Sequence, residues 1–136
     1  MDSHVSNFEQ DLICRLLYRL CIFCTLRRFS HEDPLRVSAF AAASLFVLLS
    51  DNETQPLSVM MAMAAGTPVL LLRVPYTFEP PFAGLPTVES RDVRKVCAAI
   101  EREWTQPRPT RLPDGFTWPA VVAKLSDIYS RALGAG

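Results

Sequence analysis

An α/β fold built on a small parallel sheet is what this 136-residue sequence predicts. Three observations carry that expectation. The runs 43–49 (ASLFVLL) and 69–72 (VLLL) are apolar without alternation, as in strands covered on both faces. Between them, residues 56–65 read as a short helix bounded by Pro56 and Gly66. Two later stretches, 90–104 and 118–133, carry apolar residues at helical spacing, which suits helices laid against a sheet.

The central stretch, residues 50–73 (SDNETQPLSVMMAMAAGTPVLLLR), sets the local order of strand, polar loop, helix, tight turn and strand. Pro56 fits the first turn of the helix, where a missing N–H costs nothing. Gly66 fits a left-handed carboxyl cap, and Pro68 stops the helix from continuing. Chain polarity then puts the loop 50–55 at the carboxyl end of one strand and the amino end of the next helix. Ligands of open α/β sheets bind at such points, and free helix N–H groups there favour an anion such as a phosphate.

The remaining elements follow from caps and breakers. Residues 8–29 read as a helix with a broad apolar stripe through Leu12, Leu16, Leu17, Leu20, Ile22 and Phe23, and Asn7 as its cap. That face suits core packing, a homodimer seam or a membrane-surface patch. Residues 30–40 give a turn and a short helix, with Pro34 in its first turn and Ser30 or Asp33 as cap. Residues 74–86 (VPYTFEPPFAGLP) read as loop, leaving room for an edge strand only at Thr87 and Val88. The helix 90–104 takes Ser90 as cap and presents Val93, Val96, Cys97, Ile100 and Trp104 on one face. A Pro-rich linker, 106–115, leads to a last helix capped by Thr117, with an apolar face of Val121, Val122, Leu125, Ile128, Tyr129 and Leu133.

Composition narrows the functional classes. Hydrophobic residues make up 49% and charged residues 21%, a globular balance, and a formal net charge of zero gives no bulk attraction for nucleic acid. The four cysteines are Cys14, Cys21, Cys24 and Cys97; a single C-x2-C pair without nearby His reads as reduced thiols, and no metal is expected. The start MDSHVSNFEQ lacks a basic leader region, and Arg15 and Arg19 interrupt the best apolar run. The chain therefore reads as cytoplasmic, with the amino-terminal apolar face as the feature suited to a membrane surface.

The segment from Leu45 to Val69 resembles the nucleotide-sugar-binding core of retaining glycosyltransferases of the two-domain GT-B type. That family's pattern runs through an apolar strand, a Ser, a Glu, a small turn, a helix with a second Glu, and Ala-Met-Ala-x-Gly-Thr-Pro-Val. Here the matches are Ser50, Glu53, the turn Thr54 to Leu57, and Ala62-Met63-Ala64-Ala65-Gly66-Thr67-Pro68-Val69. The likeness is most specific over 34–73, and the last helix resembles the family's closing helix. It implies a Rossmann-like half of a GT-B glycosyltransferase at 34–136, preceded by a helical segment, 1–33, with no family counterpart.

The resemblance also implies an activity: hexosyl transfer from a nucleotide-sugar donor, without cofactor or metal. Glu53 would lie at the donor sugar as the catalytic carboxylate. Ser50, Thr54, Gln55, Pro56, Leu57 and Met61 would line the donor site, with the backbone N–H groups of Thr54, Gln55 and Leu57 facing the phosphates. Two positions depart from the family. Met61 stands where the second Glu accepts hydrogen bonds from the ribose, and methionine sulfur is a weak acceptor. Thr54 and Pro56 replace small residues. Fewer than fifty residues precede the motif strand, so the chain is expected to be a fragment, a truncated gene product or one half of a split enzyme whose acceptor-binding half a partner chain supplies, and this half alone is expected to be inactive. The alternative expectation is a non-catalytic interaction module, or a degenerate fragment, that kept the fold.

Overall fold

The computed structural model describes residues 33–134. The expected helix at 8–29, its dimer or membrane face and three of the cysteines lie outside the described residues. The described chain runs α1 (Leu35–Ala42), β1 (Phe46–Leu48), α2 (Leu57–Ala64), β2 (Val69–Leu72), β3 (Thr87–Val88), α3 (Val93–Thr105) and α4 (Trp118–Gly134). Short 3-10 turns at Pro75–Phe78 and Asp114–Phe116 punctuate it.

The three strands form one parallel sheet in the order β1-β2-β3. Phe46 pairs with Val69 and Leu48 with Leu71, while Leu71 and Leu72 face Thr87 and Val88 on the other side. The fold is therefore α/β with a small open sheet. Every residue of β2 is buried, which explains its unbroken apolar sequence: both faces are covered. Leu70, Leu72 and Val88 pack against Val96, Cys97, Ala99 and Ile100 of α3. Val69 and Leu71 pack against Val59, Ala62 and Met63 of α2, with Phe40 of α1 joining from the rim. Burying each such side chain contributes about 1.5–3 kcal/mol.

Local chemistry explains the element ends. Gly66 has φ +77°; its N–H donates to the Met63 carbonyl and that of Thr67 to the Ala62 carbonyl, the paired bonds of a Schellman cap. The Thr67 hydroxyl donates to the Phe40 carbonyl at 2.5 Å, tying α1 to the end of α2. Asp33 caps α1 by accepting from the Leu35 N–H.

Four details differ from the sequence expectation. β1 is limited to three residues, because only Phe46 to Leu48 find partners on β2. Pro56 is the residue before α2 rather than inside its first turn, with an extended ψ of 90°. α3 is capped by Asp92, whose carboxylate accepts from the N–H groups of Arg94 and Lys95; Ser90 instead accepts from the Asp92 N–H. The buried face of α3 ends in Glu103, while Trp104 is 43% exposed. A neighbouring arginine, Arg108, makes burial of that carboxylate tolerable, which residue periodicity cannot register.

α4 departs furthest. It forms over Trp118–Gly134, but none of its residues is buried. Val122, Leu125, Ile128, Tyr129 and Leu133 are all exposed, although their spacing is that of a core-facing helix.

Candidate functional site

Three chain segments meet the carboxyl edge of the sheet: residues 49–56 after β1, residues 73–78 after β2, and residues 89–92 after β3. In a parallel sheet these follow the same strand ends, so the loops form one rim.

The loop after β1 carries the sequence-expected residues. Ser50 and Glu53 are half-buried, Thr54 and Gln55 are exposed, and Pro56 is buried. Leu57 opens α2 and is 62% exposed; Met61 lies one turn further and is half-buried. Among the described residues no side chain caps the amino end of α2. The Val59 and Met60 N–H groups reach back to the Pro56 carbonyl, and the amides ahead of them point out of the helix end without a capping side chain. That end has the dipole and the donors an anion requires.

The rim also gathers residues that motif matching did not single out. Arg91 forms an ion pair with Asp51 and donates to the Leu49 carbonyl at 3.2 Å, joining the β1 and β3 ends. Arg73, directly after β2, pairs with Glu89 directly after β3, and its guanidinium sits 5.2 Å above the Phe78 ring. Two arginines thus stand at this edge, each engaged by a carboxylate. Their signal in the sequence was positional: both follow a strand end. The sequence offered no way to see that their partners would be Asp51 and Glu89.

Tyr76 is the third unforeseen residue. It lies in the 3-10 turn after β2 and is 8% exposed. Its ring packs edge-on against Phe82, with centroids 5.5 Å apart. Its hydroxyl is buried and has no hydrogen-bond partner among the described residues. Burial raises the phenol pKa, and the negative charge of Glu53 raises it further, so Glu53 and Tyr76 act on each other across the rim. Glu79, in the same loop, is exposed; its backbone carbonyl closes the turn by accepting from Phe82 and Ala83.

An open depression of about 580 Å³ lies elsewhere, lined by Arg102, Glu103, Gln106, Pro107 and Arg108. It belongs to the amino edge of the sheet, since α3 runs back from the end of β3 and Thr110 donates to the carbonyl of Thr67, just ahead of β2. Its arginines hold Glu103: Arg108 donates through Nε at 2.9 Å and Nη2 at 2.5 Å, and Arg102 through Nε at 3.1 Å. These bonds, led by Arg108, lower the Glu103 pKa against the opposing effect of burial. The cluster ties α3 to the linker.

Among the described residues no group of His, Cys, Asp or Glu could hold a metal ion, and no helix is long and apolar enough to cross a membrane. Cys97 is buried in the core beneath α3. Set beside known families, curated proteins and solved structures, the chain matches no family model, no curated protein and no solved structure.

Proposed function

We propose that the chain is the donor-binding half of a GT-B-type glycosyltransferase, taking a nucleotide sugar at the carboxyl rim of its sheet. The observation that supports this reading is the amino end of α2, uncapped by any side chain among the described residues, with the half-buried Glu53 four residues ahead of Leu57 in the preceding loop. The helix end would receive the diphosphate, and Arg73 and Arg91 would supply positive charge after exchanging their carboxylates for phosphate oxygens. Glu53 would accept hydroxyl hydrogen bonds from the sugar and stabilise positive charge developing at the anomeric carbon. Met61 leaves the ribose with a weak acceptor, so affinity for the nucleotide is modest. Transfer requires an acceptor-binding half in addition to this one.

Isothermal titration of the chain with UDP, GDP, UDP-glucose and GDP-mannose tests this reading. Heat of binding with at least one pair is expected. No heat with any of the four, with or without a partner chain, removes the reading.

A second reading is favoured by α4: a non-catalytic interaction module that kept the fold. Leu125 is 46% exposed, Ile128 45% and Tyr129 64% on a helix with no buried residue, a large apolar face on a small domain. Size-exclusion chromatography with light scattering separates the two. A monomer that binds nucleotide sugars supports the first; a stable dimer that binds none supports the second.

A further inference from the structure

α4 carries its apolar residues on one side. Val122, Leu125, Tyr129 and Leu133 recur at steps of three and four, while Lys124, Asp127 and Arg131 fall on the far side. Those four apolar residues are 46% to 84% exposed, and no residue of the helix is buried. A small domain seldom leaves so broad an apolar face to water. α1 has no buried residue either, and its Leu35 and Val37 are exposed. The linker reaches α4 from the α1 side of the sheet, since Leu112 packs into the cluster that Phe40 also joins.

We propose that residues 8–29 of the same chain, which lie outside the described residues, dock along this face as a helix and complete the fold. Leu12, Leu16, Leu20 and Phe23 repeat the three- and four-residue steps of α4, with Asp11, Arg15 and Arg19 beside the stripe. As a helix the segment spans about 33 Å, enough to flank α4 at about 25 Å. Only residues 30–32 separate it from Asp33 at the start of α1, a tether of about 10 Å at full stretch. So short a tether holds the segment at an effective concentration of ~mM order. A second copy at micromolar concentration cannot match that, and it gives up translational freedom as well. The sheet is packed on both sides without this pair, so the docked helices open as a unit of their own and global unfolding reads them weakly. The assignment is independent of donor binding.

Hydrogen exchange of the full chain, followed by mass spectrometry at low and high micromolar concentration with light scattering alongside, tests the docking. Wild type is expected to be monomeric and to protect the amides of 118–134 equally at both concentrations. Leu16→Asp together with Leu20→Asp puts carboxylates into the contact. In that variant the amides of 118–134 are expected to exchange about tenfold faster or more, and those of α3 at an unchanged rate. Leu125→Asp is expected to do the same to the amides of 8–29. Exchange of 118–134 in wild type as fast as in the variants overturns the proposal, and the face is then left open for a membrane or another protein. Protection that appears only at high concentration, with a dimer, also overturns it and gives the face to a second copy. Protection of 118–134 that survives the paired substitution overturns it too. So does loss of α3 protection in both variants, because the sheet core then depends on the pair.

Discussion

Arg91, at the approach to α3, is paired with Asp51 in the loop after β1. The ion pair bridges the two outer strands of the sheet at the candidate site and occupies a cation that a phosphate would compete for. Replacing Asp51 with Asn should therefore tighten UDP or GDP binding about twofold to fivefold at low salt, with the gain shrinking near ~0.5 M salt. Both side chains are largely exposed, so stability should change by less than about 0.5 kcal/mol. Titration at two salt concentrations, with urea unfolding as control, checks both outcomes.

Met61 is half-buried one turn into α2. Met61→Glu would supply an acceptor of the kind the resemblance implies for a ribose. Hydrogen bonds to charged groups contribute about 1.5–3 kcal/mol, so UDP or GDP should bind roughly tenfold tighter or more. A 2′,3′-dideoxy nucleotide should gain nothing. An equal gain for both would mean that the added carboxylate acts elsewhere.

Glu103 anchors the linker through Arg108 and Arg102 with a side chain only 2% exposed. Its pKa in the folded chain lies below the ordinary value of 4.5, chiefly through the hydrogen bonds from Arg108. A carboxylate lowered on folding stabilises fully above its unfolded value and loses that contribution as pH falls through the folded one. Glu103→Gln should cost about 1–2 kcal/mol at pH 7. The gap between variant and wild type should stay constant down to about pH 5 and narrow below about 4.5. Urea melts across pH 3–7 measure it, and a gap that widens in acid would contradict the assignment.

Leu70 and Leu125 make a matched pair for testing where stability resides. Leu70 is fully buried between β1 and β3, whereas Leu125 on α4 is 46% exposed. Leu70→Ala should cost about 2–5 kcal/mol through lost burial and a residual cavity. Leu125→Ala should cost less than about 1 kcal/mol in the isolated chain. A large loss at Leu125 would show that the α4 face is covered in solution.

Gly66 holds φ +77°, and an added Cβ would meet nothing within 4 Å. Gly66→Ala should therefore cost about 1–2 kcal/mol, all of it backbone strain. Gly66→Asn should cost less, since Asn tolerates the left-handed region. Equilibrium urea unfolding of the two variants gives the comparison.

Much of this architecture was legible in the residues. The unbroken apolar runs at 43–49 and 69–72 called for strands covered on both sides; β2 is so covered, while β1 keeps only 46–48 and is half-buried. Gly66 and Pro68 called for a left-handed turn between helix and strand, and Gly66 adopts it. Thr87 and Val88 form the short edge strand their flanking Pro86 allowed. Chain direction alone assigned the loop 50–55 to the strand ends, because a parallel strand followed by a helix has one carboxyl end. The side of α3 that carries charge inward was not legible. Glu103 is buried only because Arg108, beyond the helix, reaches back to it, and a helical repeat ranks residues by their own polarity without reference to such partners. The fate of α4 was hidden for a related reason: apolar spacing announces a face, not what covers it.

What the sequence determined by itself was therefore local: strands, turns, caps and the direction in which the loops open. Tertiary structure decided which loops share the rim. It brought Arg91 to Asp51, Arg73 to Glu89, and the buried Tyr76 hydroxyl within the field of Glu53. Those pairings depend on strand order, β1 beside β2 beside β3, and order is set by how the helices bury their apolar faces on the two sides of the sheet. That is a property of the packed whole, which no single window of residues contains.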